Sequence, residues 1–249
     1  ILEAGTVVAF GQGTWQTDRG GPLTLLVRVH PDHQGAGLGA SLLSWGEALS
    51  RERGAEGVRT DVVDQDEPGH RLLGEFGYRQ VRSSFTMTKE FAPNESAGVV
   101  PAGVTIRSYA DADERVLFDV HEASFADHWG QRVSSFETFT EALHGEDWDP
   151  SLVFLAEADD GVVGHVVSFA FEDEGYVALL GVLPAWRGRG IGGILLRRSF
   201  AELAARGKRR ARLEVDAANP HGAVALYEGA GMQVHRRYDI FDLGTEALP

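Results

Sequence analysis

Two copies of one short pattern, Q/R-x-x-G-x-G, occur in this chain: Gln34-Gly35-Ala36-Gly37-Leu38-Gly39 and, 153 residues further on, Arg187-Gly188-Arg189-Gly190-Ile191-Gly192. Each follows an extended apolar run that ends in Val-x-Pro, at Val29-His30-Pro31 and Val182-Leu183-Pro184. Each precedes an apolar stretch with helical spacing, through Leu42, Leu43 and Trp45 or through Ile194, Leu195, Leu196 and Phe200. The order strand, glycine loop, helix is therefore used twice. Glycines let the backbone turn without a Cβ in the way, so several N–H groups and the positive end of a helix can converge on an anion. Such a loop is suited to a pyrophosphate.

The spacing extends beyond the loops, since Gln80-Val81-Arg82 aligns with Gln233-Val234-His235 at the same offset and the run Gly5 to Phe10 resembles Gly161 to Phe169. The chain is an internal duplication. Ala92 to Gly98 and Pro101-Ala102-Gly103 have linker composition, which places residues 1–91 in a first domain, 92–103 in a linker and 104–249 in a second domain. The second copy reads as strand Val104 to Arg107, helices Asp111 to Phe125 and Val133 to Leu143, and then strands Leu152 to Ala158 and Val162 to Phe171, joined by Asp159-Asp160-Gly161. A strand from Tyr176 leads into the loop, followed by a helix to about Arg206, a strand Arg210 to Val215, a helix Asn219 to Gly229 and an alternating strand Val234 to Asp242. The order βααβββαβαβ predicts an α/β (α+β) fold, two tandem mixed sheets flanked by helices. The first copy enters this order only at its second strand. A complete duplication implies about 50 further residues ahead of Ile1, and a naturally short copy implies none.

Two other glycine-loop chemistries compete. Gly188-x-Gly190-x-x-Gly193 and Gly35-x-Gly37-x-x-Ala40 also satisfy the dinucleotide fingerprint, with Glu214 and Asp61 as acids downstream. That fingerprint begins almost directly after the first strand of its fold, whereas Leu183 to Arg187 intervene here and a hairpin comes first. A nucleoside-triphosphate loop would need Gly-Lys-Ser or Gly-Lys-Thr, which is absent.

Val182 to Gly192 resembles the acyl-CoA-binding motif of the GNAT N-acetyltransferase superfamily. Asn219, Ala223, Leu226, Tyr227, Gly231 and Met232 are similar to that family's later segment N-x(3)-A-x-x-L-Y-x(3)-G-[FM], and double-domain members with an incomplete or degenerate first copy also exist. The resemblance implies acetyl-CoA, or another acyl-CoA, as cosubstrate. Leu180 and Val182 would then offer backbone groups to pantetheine and thioester, Arg187, Gly188, Arg189, Gly190, Ile191 and Gly192 would hold the pyrophosphate, and Asn219 would belong to the cofactor site. In the first copy Val29, Gln34, Gly35, Ala36, Gly37, Leu38 and Gly39 stand in the equivalent places.

An amine attacking a thioester needs a free lone pair, a held carbonyl and a proton for the departing thiolate. Tyr227 can supply that proton, because a phenol is protonated at pH 7. Aligning Gly77 with Gly231 sets Leu73 opposite Tyr227 and Gln65 near Asn219. The first copy is thus expected to be structural or a non-catalytic CoA binder. Glu174, at the start of the strand leading to the loop, is the expected base, with Tyr176, Glu214 and His165 as alternatives. Asp127-His128-Trp129 and Asp147-Trp148-Asp149 alternate acids with tryptophan in the segment that would cover the acceptor, and could attract an ammonium or serve as caps and core anchors. Arg197, Arg198 and Lys208-Arg209-Arg210 could meet a CoA 3'-phosphate or form a solvated face.

Composition narrows the partners. Thirty-seven acidic against 23 basic side chains give a formal charge of -14, which opposes nucleic acid and suits a cationic acceptor. There is no cysteine, no metal-ligand spacing such as H-E-x-x-H, no G-x-S-x-G and no apolar run long enough for a bilayer, and the first residues do not show the charged-then-apolar pattern of a signal peptide. The expectation is a cytoplasmic acyl-CoA N-acyltransferase acting by direct attack on a small-molecule or peptide amine, without metal, membrane or nucleic-acid partners. An acyl-CoA-binding or sensing protein without catalysis is the competing class, with a dinucleotide-dependent oxidoreductase behind it. Nothing in the sequence sets the oligomeric state.

Overall fold

The computed structural model describes residues 1–15, 20–130 and 133–244. In chain order the strands are β1 (Leu2–Glu3), β2 (Thr6–Val7), β3 (Ala9–Thr14), β4 (Leu23–Val29), β5 (Gly57–Val63), β6 (Arg79–Glu90), β7 (Thr105–Ser108), β8 (Val153–Ala158), β9 (Gly161–Ala170), β10 (Glu174–Val182), β11 (Arg210–Asp216) and β12 (Gln233–Gly244). The helices are α1 (Leu38–Arg53), α2 (Glu67–Glu75), α3 (Glu114–Phe125), α4 (Phe136–Leu143), α5 (Ile191–Ala205) and α6 (Ala223–Gly229). The second copy thus has the expected order of strands and helices. Its last helix starts later than its pattern suggests, because Pro220 and a left-handed Gly222 (φ 73°) hold residues 219–222 in a turn.

Two compact units form, one of residues 1–84, 216–218 and 236 onward, the other of residues 85–215 and 219–235. In the first unit the strand order is β3-β4-β5-β12-β6. β12 runs antiparallel to β5 from Tyr238↔Val63 to Gly244↔Gly57. Asp242 lies directly opposite Arg59 and accepts two hydrogen bonds from its guanidinium, at 2.8 and 2.7 Å. Leu23, Leu25, Leu43, Val58, Leu73 and Phe241 make the core between the sheet and its helices. At Gly46 of α1 a Cβ would stand 2.3 Å from the Leu25 side chain, so the glycine sets how closely helix and sheet approach.

In the second unit the order is β6-β11-β10-β9-β8-β7. Phe154, Leu195, Leu196, Phe200, Leu213 and Met87 fill the main core, and a second cluster gathers Leu117, Phe118, Phe139, Leu143, Leu155 and Val167. Met87 belongs to β6, so the closing strand of the first copy completes the core of the second unit, while β12, closing the second copy, completes the sheet of the first. Each copy's expected closing strand is therefore present, but β6 is divided, with residues 79–84 in the first unit and 85–90 in the second, while β12 from residue 236 on belongs to the first. The two strands occupy equivalent places in the repeat, and a strand's alternation does not say which of two equivalent edges it will join.

Candidate active site

The two glycine loops have nearly the same backbone. Gly35 and Gly37 have φ of 78° and 78°, and Gly188 and Gly190 have 75° and 82°, all in the left-handed region. Gly37 and Gly190 cap α1 and α5 with no side-chain hydrogen bond. The first hydrogen bonds back to those caps come from Ser41 and Ile194, so the preceding N–H groups, those of Leu38, Gly39 and Ala40 and of Ile191, Gly192 and Gly193, lack an intrahelical acceptor. A Cβ at Gly35, Gly37 or Gly188 would meet nothing within 4 Å. These glycines serve backbone conformation and open space, and each loop ends at a helix terminus suited to an anion. At Gly39 and Gly192 the reason is packing. A Cβ would come 3.0 Å from Leu72 in one copy and 3.0 Å from Leu226 in the other.

In each copy the strand that feeds the loop separates from its parallel neighbour. β10 pairs with β11 only at Glu174↔Arg210, Gly175↔Ala211 and Tyr176↔Arg212, then continues to Val182 along β9, with Ala178 as the extra residue of a bulge. β4 pairs with β5 only from Leu23↔Val58 to Leu25↔Thr60 and continues to Val29 along β3. Leu180 and Val182, and Val29 in the first copy, thus lie where one strand edge is unpaired. In the first unit this opening is a cleft of about 510 Å³, lined among others by Val29, Gln34, Gly35, Gly37, Leu38 and Gly39, with Leu73 at its wall. Ala36 does not line it.

Leu73 and Tyr227 fill the equivalent helix position. Both are buried. Burial alone pushes the Tyr227 phenol up to about 12, so it carries its proton throughout the neutral range. Asn219 uses its Oδ1 to accept from the backbone N–H groups of His221 (2.9 Å) and Ala223 (3.4 Å), shaping the entry to α6.

The structure gives the Arg187 side chain a different task from the one implied for it. The guanidinium donates to both oxygens of Asp127, at 2.7 and 3.1 Å, and to the carbonyls of Ser124 (2.8 Å) and Val182 (3.3 Å). It thereby ties the end of α3 to the glycine loop and holds the Asp127 carboxyl down at about 2. Arg189 lies over the Trp186 ring at 4.4 Å. Asp127, His128 and His221 bring metal-capable atoms within 4.8 Å of one another, a grouping with no sequence spacing to announce it. The Arg187 guanidinium lies 3.3 Å from both His221 ring nitrogens and occupies the carboxylate, so a cation already fills this cluster.

Glu174 is not brought to the opening. It binds Arg210 (2.7 Å) and Arg212 (2.6 Å) at the paired end of β10, six residues and about 20 Å of strand from Leu180. Glu214 lies 3.7 Å from Arg212, whose guanidinium covers the Tyr176 ring. Asp149 and Trp148 act as structural anchors: Asp149 accepts from Ser151 and Arg206, and Trp148 packs on Tyr109 and His144. Arg197 donates to Gly229 O, Arg198 covers Phe154, Lys208 donates to Phe171 O, and Arg209 pairs with Asp173, so each of these cations has an internal partner. His165 is fully buried, and neither Ser124 nor His121, which pack near it, was singled out by sequence reasoning. The signal available was a pair of polar residues three apart on the apolar stripe of α3.

The antiparallel β8, β9 and β10 ahead of the second loop are not the doubly wound parallel sheet that a dinucleotide needs. The profile of the Acetyltransferase (GNAT) family matches residues 1–78 and 118–232. The chain belongs to the GNAT acetyltransferase family. Among curated GNAT relatives, mycothiol acetyltransferase of Thermobispora bispora is 32% identical over 82% of this chain and 70% of its own length. That of Stackebrandtia nassauensis is 32% identical over 91% and 76%. A GCN5-related N-acetyltransferase from Sphaerobacter thermophilus superposes with a TM-score of 0.85 at 30% identity, over 98% of this chain and 78% of its own. A tandem GNAT protein from the clavulanic acid biosynthesis pathway shares the fold with a TM-score of 0.76 at 16% identity, over 100% and 82%. The protein is therefore an N-acetyltransferase of GNAT fold with acetyl-CoA as cosubstrate. Its loops and unpaired strand edges fit that molecule, with open N–H groups for pyrophosphate and a free edge for a chain that carries amides. No helix among the described residues is long and apolar enough to cross a membrane.

Proposed function

We propose that the second copy, residues 104–249, transfers acetyl from acetyl-CoA to the amine of a small molecule by direct attack, and that the first copy, residues 1–91, binds a CoA-type ligand without catalysis. The contrast that carries this reading is Tyr227 against Leu73. Both copies have the loop and the separated strands, and Leu73 lines the cleft of the first, but only the second copy has a proton donor at that position. The N–H groups at the start of α5 hold the pyrophosphate, the free edge of β10 at Leu180 and Val182 orients pantetheine and thioester, and Tyr227 donates as charge develops on sulfur. Burial also makes the leaving thiolate more basic, which favours this transfer. The mycothiol acetyltransferases among its relatives point to a small-molecule acceptor, and the charge of -14 favours a cationic one.

Tyr227→Phe keeps the ring and its packing but removes the proton. Turnover, read as CoA release against a panel of small amines, should fall roughly 10²-fold with acetyl-CoA affinity nearly unchanged. Full activity in a folded Tyr227→Phe protein would sink the assignment. Tight acetyl-CoA binding by the parent with no amine turned over would favour a sensing role instead.

A further inference from the structure

Two buried polar atoms with no hydrogen-bond partner among the described residues, Ser124 Oγ and His165 Nδ1, belong to side chains that lie against the same residue, Gly181. A Cβ on Gly181 would stand 2.4 Å from His165 Cε1, 3.1 Å from His165 Nδ1 and 2.9 Å from Ser124 Cβ. Gly181 is directly opposite His165 in the β9–β10 ladder and lies between Leu180 and Val182. The glycine thus makes room for an imidazole edge against the backbone that orients the thioester.

The other ring nitrogen, His165 Nε2, lies 3.4 Å from His121 Nδ1. An orphaned N–H costs more than a bare lone pair, which assigns the His165 proton to Nε2, donated towards His121, and leaves Nδ1 as an unused acceptor. The groups packed around His165 include His121, Ser124 and Phe125 of α3, Gly181 of β10 and the apolar Leu155 of β8. The Arg187–Asp127 ion pair at the end of α3 connects to this group through the Ser124 carbonyl. Burial, with His121 beside it, holds His165 neutral at physiological pH. His121 is less enclosed and stacks between Phe125 (4.6 Å) and Phe139 (5.1 Å).

We propose that His165 and His121 form the proton relay that frees the acceptor amine for attack, with Ser124 as a second buried polar group beside it. The proposal rests on the acyl-transfer reading above and supplies the base that Glu174, held by two arginines, does not. Because His165 Nδ1 is buried, the acceptor ammonium gives its proton to it through a bridging water, as Nε2 passes its own to His121 Nδ1. The freed nitrogen lone pair forms the C–N bond, and the C–S bond breaks with its electron pair on sulfur. Sulfur takes the Tyr227 proton, and the surplus proton on the new amide nitrogen returns to the Tyr227 oxygen. The sum is ammonium plus thioester giving amide, thiol and one proton, which leaves from His121.

The test uses the full chain, with the amine the parent turns over best, and kcat/KM measured from pH 6 to 10. His165→Gln and His121→Phe are compared with the parent, and His121→Phe keeps the aromatic stacking should His165→Gln fail to fold. At pH 7 each variant should lose roughly 10²-fold, with acetyl-CoA affinity by calorimetry unchanged. Above the pKa of the amine itself the substrate arrives deprotonated, and the gap should close to within a few-fold. Parent-like rates at pH 7, or a loss that stays constant across the pH range, would overturn the relay while leaving acyl transfer standing. If the parent turns over no amine while binding acetyl-CoA, acyl transfer falls and the relay falls with it.

Discussion

Single residues decide where chemistry and where structural strain reside. Glu47 of α1 is buried at 3% exposure, and neither its Oε1 nor the Tyr78 hydroxyl has a hydrogen-bond partner of ordinary geometry among the described residues. Burial raises the Glu47 carboxyl above its usual 4.5, opposed in part by the Tyr78 hydroxyl and the Arg51 charge. The folded state therefore binds this proton more tightly than the unfolded one, so the group's contribution to stability is greatest below the unfolded pKa and is lost as pH rises through the folded one. Glu47→Gln removes the titration at nearly constant shape. In thermal melts from pH 4 to pH 8, the parent should lose stability relative to the variant as pH rises, and parallel Tm curves would show that the buried carboxyl is not linked to folding. Asp127 has the opposite sign: Arg187 lowers it, so their pairing is present above the ordinary Asp range and is lost as pH falls towards about 2.

Elements were legible where local physics sets them. The apolar run over Gly161–Ala170, Asp159-Asp160-Gly161 as a turn and left-handed glycines before α1 and α5 are local facts, and the structure follows them. The site was legible in part. The loop and Tyr227 have a sequence register, whereas the separation of β10 from β11, the Arg187–Asp127 tie and the nook beneath Gly181 depend on contacts distant in sequence. Glu174 shows the limit, because a carboxylate one strand-length from the opening and one beside it look alike in a sequence. The loops themselves offer a comparison between equivalent elements. Valine at Gly190 or Gly37 must adopt a positive φ, at a cost of about 1–3 kcal/mol for a β-branched residue, and sets methyl groups where an anion would approach. Gly190→Val is expected to weaken acetyl-CoA binding and abolish turnover. Gly37→Val should remove binding only at the first copy and leave turnover within a few-fold. Calorimetric titration of both variants beside the rate assay checks this, and equal loss of turnover in the two would refute the division of labour.

At the scale of the whole chain, the exchange of closing strands makes a testable claim about folding. The core of the second unit includes Met87, fully buried, with Phe85 and Phe91 packed against it, all three from the segment that ends the first copy. Lys89 adds a hydrogen bond to the Ala230 carbonyl at 3.0 Å, and Phe91 N–H donates to the Arg209 carbonyl at 2.8 Å. Residues 104–249 expressed alone would lack β6, so one edge of β11 and the apolar surface under Met87 would be open, and β12 would have no β5 to pair with. Open edges and newly exposed core residues favour association between chains. The expected result is an aggregated or strand-swapped oligomeric product with little acetyltransferase activity, although every residue of the proposed site is present. Co-expression of residues 1–91 should restore a stable 1:1 complex and activity, because β6 and β5 are then available without the linker. Light scattering and CoA release on the fragment, the pair and the full chain decide the matter. A monomeric, active 104–249 fragment would show that the strand exchange is dispensable and that each copy can close its own sheet.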